Sequence, residues 1–225
     1  RPCCGMSDAM SRDRAVSRPE PLTPERFQQI TGVSRETLDR LTLYAELLRK
    51  WQGAINLVSR DSLGDLWRRH FLDSAQLMPL LPAGCRVLVD LGSGAGFPGL
   101  VLAALGIPDV HLIESDSRKA VFLRETARPL ELSVPVPNSR IEDVPGFPAD
   151  AVTARALAPL SKLLDLAGPF LAEHSICVFL KGRGVEEELT AARESWKMTV
   201  MRHPSASDPS GTLLRLEHLH RERAS

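Results

Sequence analysis

The residues best suited to chemistry lie in one stretch of the sequence, residues 86–99. An apolar run typical of a strand buried on both faces ends there at Asp90 and Leu91, and a glycine-rich turn follows directly. Glycines let the backbone turn tightly and approach a ligand closely, and the helix predicted over residues 100–105 offers unpaired N–H groups at its start. The order strand, glycine-rich turn and helix therefore predicts a nucleotide-binding crevice.

Two ligands fit this turn. Residues 94–99 match G-x-G-x-x-G, the dinucleotide fingerprint, and Glu114 follows at the distance of a ribose-binding acid. Residues 90–96 match the D-x-G-x-G-x-G loop of S-adenosylmethionine-dependent methyltransferases. A dinucleotide needs a helix dipole aimed at its pyrophosphate, whereas S-adenosylmethionine needs carboxylates for its ribose hydroxyls and amino group. Asp90 and Glu114 therefore favour the methyl donor over nicotinamide, and a structural turn without a ligand is the third interpretation.

Composition narrows the class of protein. The chain has 225 residues, 43% of them hydrophobic, which suits one large domain or a domain with a helical cap. Lys+Arg and Asp+Glu are equal at 28 each, so a nucleic-acid partner requires a local basic patch. No apolar run reaches membrane-spanning length, and the four cysteines show neither zinc-ligand nor disulfide spacing. We expect a reduced, cytoplasmic protein without a metal site.

The chain divides into four segments. Residues 1–21 are polar without apolar periodicity and predict a disordered tail, and residues 221–225 form a second tail. Residues 22–84 predict only helices, which we expect to pack on a sheet. Residues 85–220 are expected to form that sheet with its covering helices, within a single domain overall.

Capping residues mark the predicted N-terminal helices. Thr23 is a candidate N-cap for a short helix that ends at Gly32, and Ser34 caps the next, which runs to residue 51 or 52. A further amphipathic helix is predicted over residues 63–80.

From residue 86 onward, predicted strands and helices alternate. This alternation predicts an α/β fold: a doubly wound, mostly parallel sheet of the class I S-adenosylmethionine-dependent methyltransferase type. The last two strands are joined by a loop without a helix, so they should form an antiparallel hairpin at the sheet edge. The seven predicted strands cover residues 87–91, 110–114, 134–136, 151–154, 176–180, 197–203 and 212–219.

In open α/β sheets, ligands bind outside the carboxyl ends of the strands. That rule nominates Glu114 for the ribose and residues 141–142 for the face and edge of adenine. The loop after residue 154 lacks the Asn/Asp-Pro-Pro-aromatic sequence of exocyclic-amine methylation and a cysteine nucleophile. A ring nitrogen such as guanine N7 carries its own lone pair, so catalysis there is mainly positioning. No acid–base residue is required for it.

Basic residues cluster in the predicted helices before the sheet and alternate with Trp51 and Trp67. Basic groups with planar partners suit RNA, whose accessible bases are recognised by stacking and by hydrogen bonds to their edges. The members of this cluster are Arg49, Lys50, Arg60, Arg68, Arg69 and His70.

These motifs together resemble the small-subunit ribosomal RNA guanine-N7 methyltransferases, the family also called glucose-inhibited division protein B. The resemblance runs from about Ser34 to Leu219. It rests on Lys50-Trp51, Asn56-Leu57-Val58-Ser59-Arg60, Arg69-His70-Phe71-Leu72-Asp73-Ser74, the run from Val89 to Gly99, Arg155-Ala156 and Lys181-Gly182. It implies S-adenosylmethionine-dependent N7 methylation of one guanine in 16S rRNA of the bacterial small subunit, in the cytoplasm. A monomer is expected.

The resemblance and the glycine turn together nominate site residues. Those expected to bind the cofactor are Asp90, Gly92, Gly94, Gly96, Phe97, Glu114, Ile141, Glu142 and Arg155. Those expected on the RNA side are Asn56, Arg60, Arg69, His70 and Lys181. The chain departs from the family at two positions: Gln52 stands where Asn is frequent, and Ala154 where Ser often precedes the arginine.

Two alternatives stay open at this point. The overlapping G-x-G-x-x-G allows a nicotinamide-dependent oxidoreductase. The basic helices also allow an RNA-binding ribosome assembly factor without turnover, which would bind RNA in a salt-sensitive way.

Overall fold

The computed structural model describes residues 20–222, so the predicted tails lie almost wholly outside the described residues. Two helices open the chain, α1 (Pro24–Thr31) and α2 (Arg35–Gln52). The side chains of Thr23 and Ser34 each accept a hydrogen bond from a backbone N–H of the first turn, which confirms both as N-caps. Gly32 ends α1 at a φ of +69°, a conformation that glycine adopts without steric cost.

The single helix predicted over residues 63–80 is wrong. The backbone N–H of Asp73 donates to the carbonyl of Arg68, five residues earlier, which is the pattern of a π-turn. Pro79 has no N–H with which to continue an α-helix. The segment consists of α3 (Arg60–Leu63), a π-helix (Trp67–Leu72), α4 (Asp73–Ala75) and a 3₁₀ turn (Met78–Leu80).

The sheet is α/β and mostly parallel, as predicted, with an antiparallel C-terminal hairpin at its edge. Its strands are β1 (Val87–Leu91), β2 (Asp109–Ile113), β3 (Ala149–Arg155), β4 (Leu171–Lys181), β5 (Trp196–Pro204) and β6 (Thr212–Arg221). Their order across the sheet is β2-β1-β3-β4-β6-β5. The first four in this order run parallel, and β6 is antiparallel to both of its neighbours.

The sheet therefore has six strands among residues 20–222, not the seven predicted. The predicted strand at residues 134–136 lies beside β2, where the N–H groups of Leu112 and Glu114 donate to the carbonyls of Pro135 and Pro137 at 2.9 and 3.2 Å. Neither proline has an N–H to return a hydrogen bond, so the two-way ladder of a strand cannot form.

Helices cover both faces of the sheet. They are α5 (Gly99–Ala104), α6 (Ser117–Ala127), α7 (Leu160–Ala167) and α8 (Val185–Ala192). Consecutive residues of β1 point to opposite faces: Leu88 joins a core with the N-terminal helices, α5 and α6, and Val89 joins a core with α7 and α8. The N-terminal helical segment is thus part of one face of the sheet. None of the helices between residues 20 and 222 combines the length and apolar character needed to cross a bilayer.

One buried tyrosine joins the N-terminal segment to the glycine-rich turn, called here the glycine loop (residues 92–99). Tyr44 of α2 is fully buried, and its hydroxyl donates a hydrogen bond to the carbonyl of Ala95. Its ring stacks on Phe97 with the centroids 5.2 Å apart. Gly96 has a φ of +91°, and a Cβ built there would lie 2.5 Å from the Tyr44 hydroxyl oxygen. The loop therefore needs glycine at this position to pass so close to α2.

We predict that Tyr44→Phe lowers the free energy of unfolding by about 1–3 kcal/mol, because it leaves the Ala95 carbonyl buried without its donor while keeping the ring. Urea unfolding measures this loss. The control is Thr190→Val, which removes an exposed hydroxyl that donates to the Glu186 carbonyl. A loss no larger than that of the control would contradict the proposed importance of this contact.

Candidate functional site

A cavity of about 1140 Å³ opens at the carboxyl ends of β1, β2 and β3. Its wall combines the glycine loop, Glu114 after β2, the turn at residues 139–142, the end of β3 at Arg155, and part of the π-helix. This is the edge at which open α/β sheets bind their ligands.

The glycine loop borders the cavity through backbone that only glycine adopts easily. Gly92 and Gly94 have φ angles of +63° and +59°. A Cβ built at Gly92 would lie 2.6 Å from Cδ1 of Leu157, so a side chain there would close the space between the loop and the segment after β3. Phe97 also lines the cavity.

Glu114 presents a fixed carboxylate to the cavity. Its Oε2 accepts a hydrogen bond from the backbone N–H of Gly94 at 2.7 Å, and its Oε1 accepts one from Asp116 at 2.7 Å. The side-chain amide of Asn138 donates to the carbonyls of Glu114 and Ser115, which fixes the backbone on the other side. Each carboxylate oxygen keeps lone-pair capacity for a further donor, such as a ribose hydroxyl.

Asp90 precedes the glycine loop and Gly96 is part of it, but neither residue lines the cavity, although both are predicted to bind the cofactor. Asp90 is fully buried; it accepts hydrogen bonds from the Thr153 hydroxyl at 2.9 Å and the Gly99 N–H at 3.2 Å. Burial raises the pKa of Asp90 to about 6. The structure thus gives Asp90 a part in shaping the loop, and Gly96 faces Tyr44.

The turn after the proline-rich segment closes the far side of the cavity. Ile141 begins the 3₁₀ turn Ile141–Asp143 and presents an apolar, largely buried side chain to the cavity. Glu142 pairs with Lys162 of α7 at 3.1 Å, and both line the cavity. Ile141 thus forms an apolar wall and the Glu142–Lys162 pair a polar rim, an arrangement suited to a flat ring such as adenine.

Opposite Glu114, a cluster of planar side chains surrounds Phe97. The Arg155 guanidinium lies 5.1 Å from the Phe97 ring centroid, and the His70 ring lies 4.8 Å from the same centroid. Arg155 also donates to Asp73 at 3.3 Å and to the carbonyl of Arg69 at 3.2 Å. The end of β3 and the π-helix are thereby tied together at the cavity wall.

His70 is neutral in this cluster. Burial, together with the charges of Arg155 and Arg69, lowers the pKa of His70 to about 3. Its Nε2 lies 2.8 Å from the Ser62 hydroxyl, so one ring nitrogen has a hydrogen-bond partner. Within residues 20–222 the buried Nδ1 has no partner, so a second proton there would find no acceptor.

The predicted RNA-side residues do not all lie together. Arg69 and His70 line the main cavity, and Arg69 pairs with Asp208 at 3.0 Å. Lys181 lines a second, smaller cavity of about 230 Å³. Asn56 and Arg60 are exposed and lie outside the lining of both cavities.

Gln52, one of the two residues at which the chain departs from the pattern of the family it resembles, organises the loop after α2. Its amide nitrogen donates to the Val58 carbonyl at 2.8 Å and to Asn56 at 3.2 Å. Its amide oxygen accepts from the N–H groups of Leu57 and Val58, each at 3.1 Å. This side chain therefore has a structural task in the loop beside the cavity.

Several site residues had no role assigned from sequence. Asp73 receives Arg155 on one carboxylate oxygen and the Ser207 hydroxyl on the other. Lys119 and Arg140 add cations to the main cavity wall. Asp73 lies inside a family motif, which is a signal of importance but not of its partner. Lys119 lies in the first turn of α6 after β2, and Arg140 follows the strand predicted at residues 134–136, so both occupy positions where cavity residues are expected.

We predict that acidification from pH 7 to pH 5 costs the wild-type protein about 2 kcal/mol more stability than it costs His70→Phe. The folded pKa is lowered, so the unfolded chain takes up the proton first, and stability falls as the pH drops from about 6.5 towards about 3. Asp90 titrates in the opposite sense but is present in both proteins. Urea unfolding at each pH measures the difference.

The control is His174→Gln, which changes an exposed histidine on β4. It should keep the wild-type pH dependence. Equal pH dependence in the wild type and in His70→Phe would contradict the neutral, buried state of His70.

Solved structures share the fold at low sequence identity. M. jannaschii TYW2 in complex with AdoMet matches with a TM-score of 0.55 and 18% identity, covering 76% of this chain and 80% of that one. A TehB-like SAM-dependent methyltransferase from Corynebacterium glutamicum matches with a TM-score of 0.53 and 15% identity, covering 78% and 96%. The fold is therefore the one predicted, with one strand fewer.

Sequence comparisons identify the family. The family model described as rRNA small subunit methyltransferase G matches residues 37–211. Ribosomal RNA small subunit methyltransferase G of Paramagnetospirillum magneticum is 61% identical over 201 residues, covering 89% of this chain and 98% of that protein. Its namesake from Rhodospirillum centenum is 63% identical over 193 residues, covering 86% and 89%. This chain belongs to the rRNA small subunit methyltransferase G family.

Proposed function

We propose that this protein transfers a methyl group from S-adenosylmethionine to N7 of one guanine in bacterial 16S rRNA. The observation that carries the proposal is that one and the same cavity is bounded by the glycine loop and Glu114 on one side and by Arg155, His70 and Arg69 on the other. Family membership supports rRNA methylation, and the cavity chemistry supports a ring nitrogen as the acceptor.

The residues present fit S-adenosylmethionine. Glu114 is held so that it accepts hydrogen bonds from the ribose hydroxyls, and Ile141 offers an apolar face for adenine. Gly92 and Gly94 leave room for the methionyl part beside the loop backbone. When bound, the cofactor supplies an electrophilic methyl group on a positively charged sulfur.

The acceptor needs no base. Guanine N7 attacks through an in-plane lone pair: the N7–C bond forms as the S–C bond breaks, and the positive charge passes from sulfur to the purine. The acids that line the cavity already have donors or cations as partners, and the neutral ring of His70 packs against Phe97. These acids are Asp73, Glu114, Glu142 and Asp208. Such a site holds donor and acceptor in line and does not remove a proton.

The cavity wall carries one more cation than it has acids, although the chain as a whole carries no net charge. Cations gathered around one opening attract a phosphate backbone without an overall positive field. The cavity wall carries Arg69, Lys119, Arg140, Arg155 and Lys162. Asn56 and Arg60 lie outside it, where they are proposed to meet RNA further from the target base. We further propose that the protein acts in the cytoplasm as a monomer.

The two alternative functions receive no support. The family match is to methyltransferases and not to nicotinamide-dependent enzymes. An assembly factor without turnover would not require a fixed carboxylate and a glycine-lined cavity beside the basic residues.

We predict that the purified protein transfers labelled methyl groups from S-adenosylmethionine to small subunits, or to 16S rRNA, from cells that lack the modification. Nucleoside analysis should find the label in 7-methylguanosine alone. Label on an exocyclic amine or on a ribose would reject the N7 assignment. Salt-sensitive RNA binding without any label would favour the assembly factor.

We predict that Glu114→Gln weakens binding of S-adenosylmethionine at least about tenfold. The two Glu114 oxygens accept from the N–H groups of Gly94 and Asp116 and are proposed to accept from the ribose. An amide has only one acceptor oxygen, so its NH₂ group would face a donor. Titration calorimetry measures the Kd. The control is Glu125→Gln on α6, which alters an exposed acid that pairs with Arg128. Wild-type affinity in Glu114→Gln would reject this placement of the ribose.

A further inference from the structure

The second cavity adjoins the first. Its volume is about 230 Å³, and it lies between the carboxyl ends of β3 and β4 and the loop that joins β5 to β6. Asp73, Arg155, Ala156 and Asp208 line both cavities. Drug-sized ligands occupy pockets of about 300–1,000 Å³, so the smaller volume suits a single flat ring system. A base that enters it from the main cavity would pass the shared wall.

An ion pair forms one wall of the second cavity. The Lys181 ammonium lies 2.6 Å from Glu188 Oε2 and donates to the Ala158 carbonyl at 2.9 Å. The same Oε2 accepts from the Leu160 N–H at 2.7 Å, and the Lys181 side chain is only 9% exposed. An ammonium has three donors and a carboxylate has two oxygens, so these contacts within residues 20–222 leave one Lys181 proton and Glu188 Oε1 for a ligand.

We propose that the Lys181–Glu188 pair recognises the Watson–Crick edge of the methylated guanine, an inference that rests on the proposed function. Guanine presents the O6 acceptor on this edge, next to its N1–H and N2–H donors. The remaining Lys181 proton is donated to O6, and Glu188 Oε1 accepts from N1–H and N2–H. Both protein groups are charged, which strengthens such hydrogen bonds.

The same pair rejects adenine. Adenine carries an amino donor at position 6 and an unprotonated nitrogen at position 1. A donor would then face the Lys181 ammonium, and a lone pair would face the Glu188 carboxylate. A site built to hydrogen-bond one edge discriminates strongly, because an incorrect ligand leaves its polar groups unpaired.

This orientation also leaves N7 in the right place. N7 belongs to the five-membered ring, away from N1 and N2. A guanine whose Watson–Crick edge enters the second cavity keeps its five-membered ring at the shared wall of Arg155 and Ala156, on the side of the main cavity. Glu188 is thus a specificity-determining residue that acts at the opposite edge of the base from the reaction.

The test uses an rRNA substrate in which the guanosine found to carry the methyl group is replaced by inosine. Inosine keeps O6, N1–H and N7 but lacks the N2 amino group. For the wild-type protein, kcat/KM should fall at least about tenfold on inosine, the cost of one hydrogen bond to a charged group. In Glu188→Gln, activity on guanosine should fall, and the ratio of guanosine to inosine should shrink to about twofold.

The matched control is Glu187→Gln, an exposed neighbour on α8 outside the lining of both cavities, which should keep the wild-type ratio. The S-adenosylmethionine affinity of Glu188→Gln should match the wild type, and the variant should remain folded at the assay temperature although its buried Lys181 loses an anionic partner. A merely structural ion pair would change stability but leave the guanosine-to-inosine ratio untouched. Equal wild-type rates on guanosine and inosine, or an unchanged ratio in Glu188→Gln, would overturn the inference. No methylation of guanosine by the wild type would overturn the proposed function itself.

Discussion

The site depends on one buried hydrogen bond between two distant parts of the chain. The Tyr44 hydroxyl of α2 donates to the carbonyl of Ala95 in the middle of the glycine loop. A loop with left-handed glycines has many accessible conformations, and a carbonyl fixed from behind removes most of them. The N-terminal helices are therefore not an appendage to the sheet, since they hold the backbone that borders the main cavity.

The same contact links the two sides of the cavity. Tyr44 stacks on Phe97, and Phe97 in turn lies beneath Arg155 and beside His70. Glu114 fixes the other end of the loop through the Gly94 N–H. The loop is thus clamped by a carboxylate in front and by an aromatic stack behind. A reaction that works by alignment needs this rigidity more than it needs an acid or a base.

Local patterns made most of the fold predictable, whereas contacts between distant residues could not be read from them. The strand, glycine turn and helix around Asp90 can be predicted from neighbouring residues alone, as can the caps at Thr23 and Ser34. Tyr44 is 51 positions away from Ala95 in sequence, and the residues next to Tyr44 in the chain do not predict this hydrogen-bond partner. The strand predicted at residues 134–136 does not form because Pro135 and Pro137 lack the N–H donors of a ladder, although the neighbouring valines favour a strand. Asp90 was expected in the cavity, but the sequence does not say which side of the loop its carboxylate faces.

The paired charges of the cavity wall bear on how the protein behaves among the abundant RNA of a cell. Arg69, Arg155 and Lys162 each already hold a carboxylate: Asp208, Asp73 and Glu142. A nucleic-acid phosphate that binds one of these cations must displace its carboxylate, so the exchange of one anion for the other contributes little to non-specific affinity. Net binding energy is obtained only by an RNA strand that also fills the main cavity when it displaces these carboxylates. The ion pairs of the cavity wall thus make RNA binding depend on the fit of the RNA to the cavity more than on its charge.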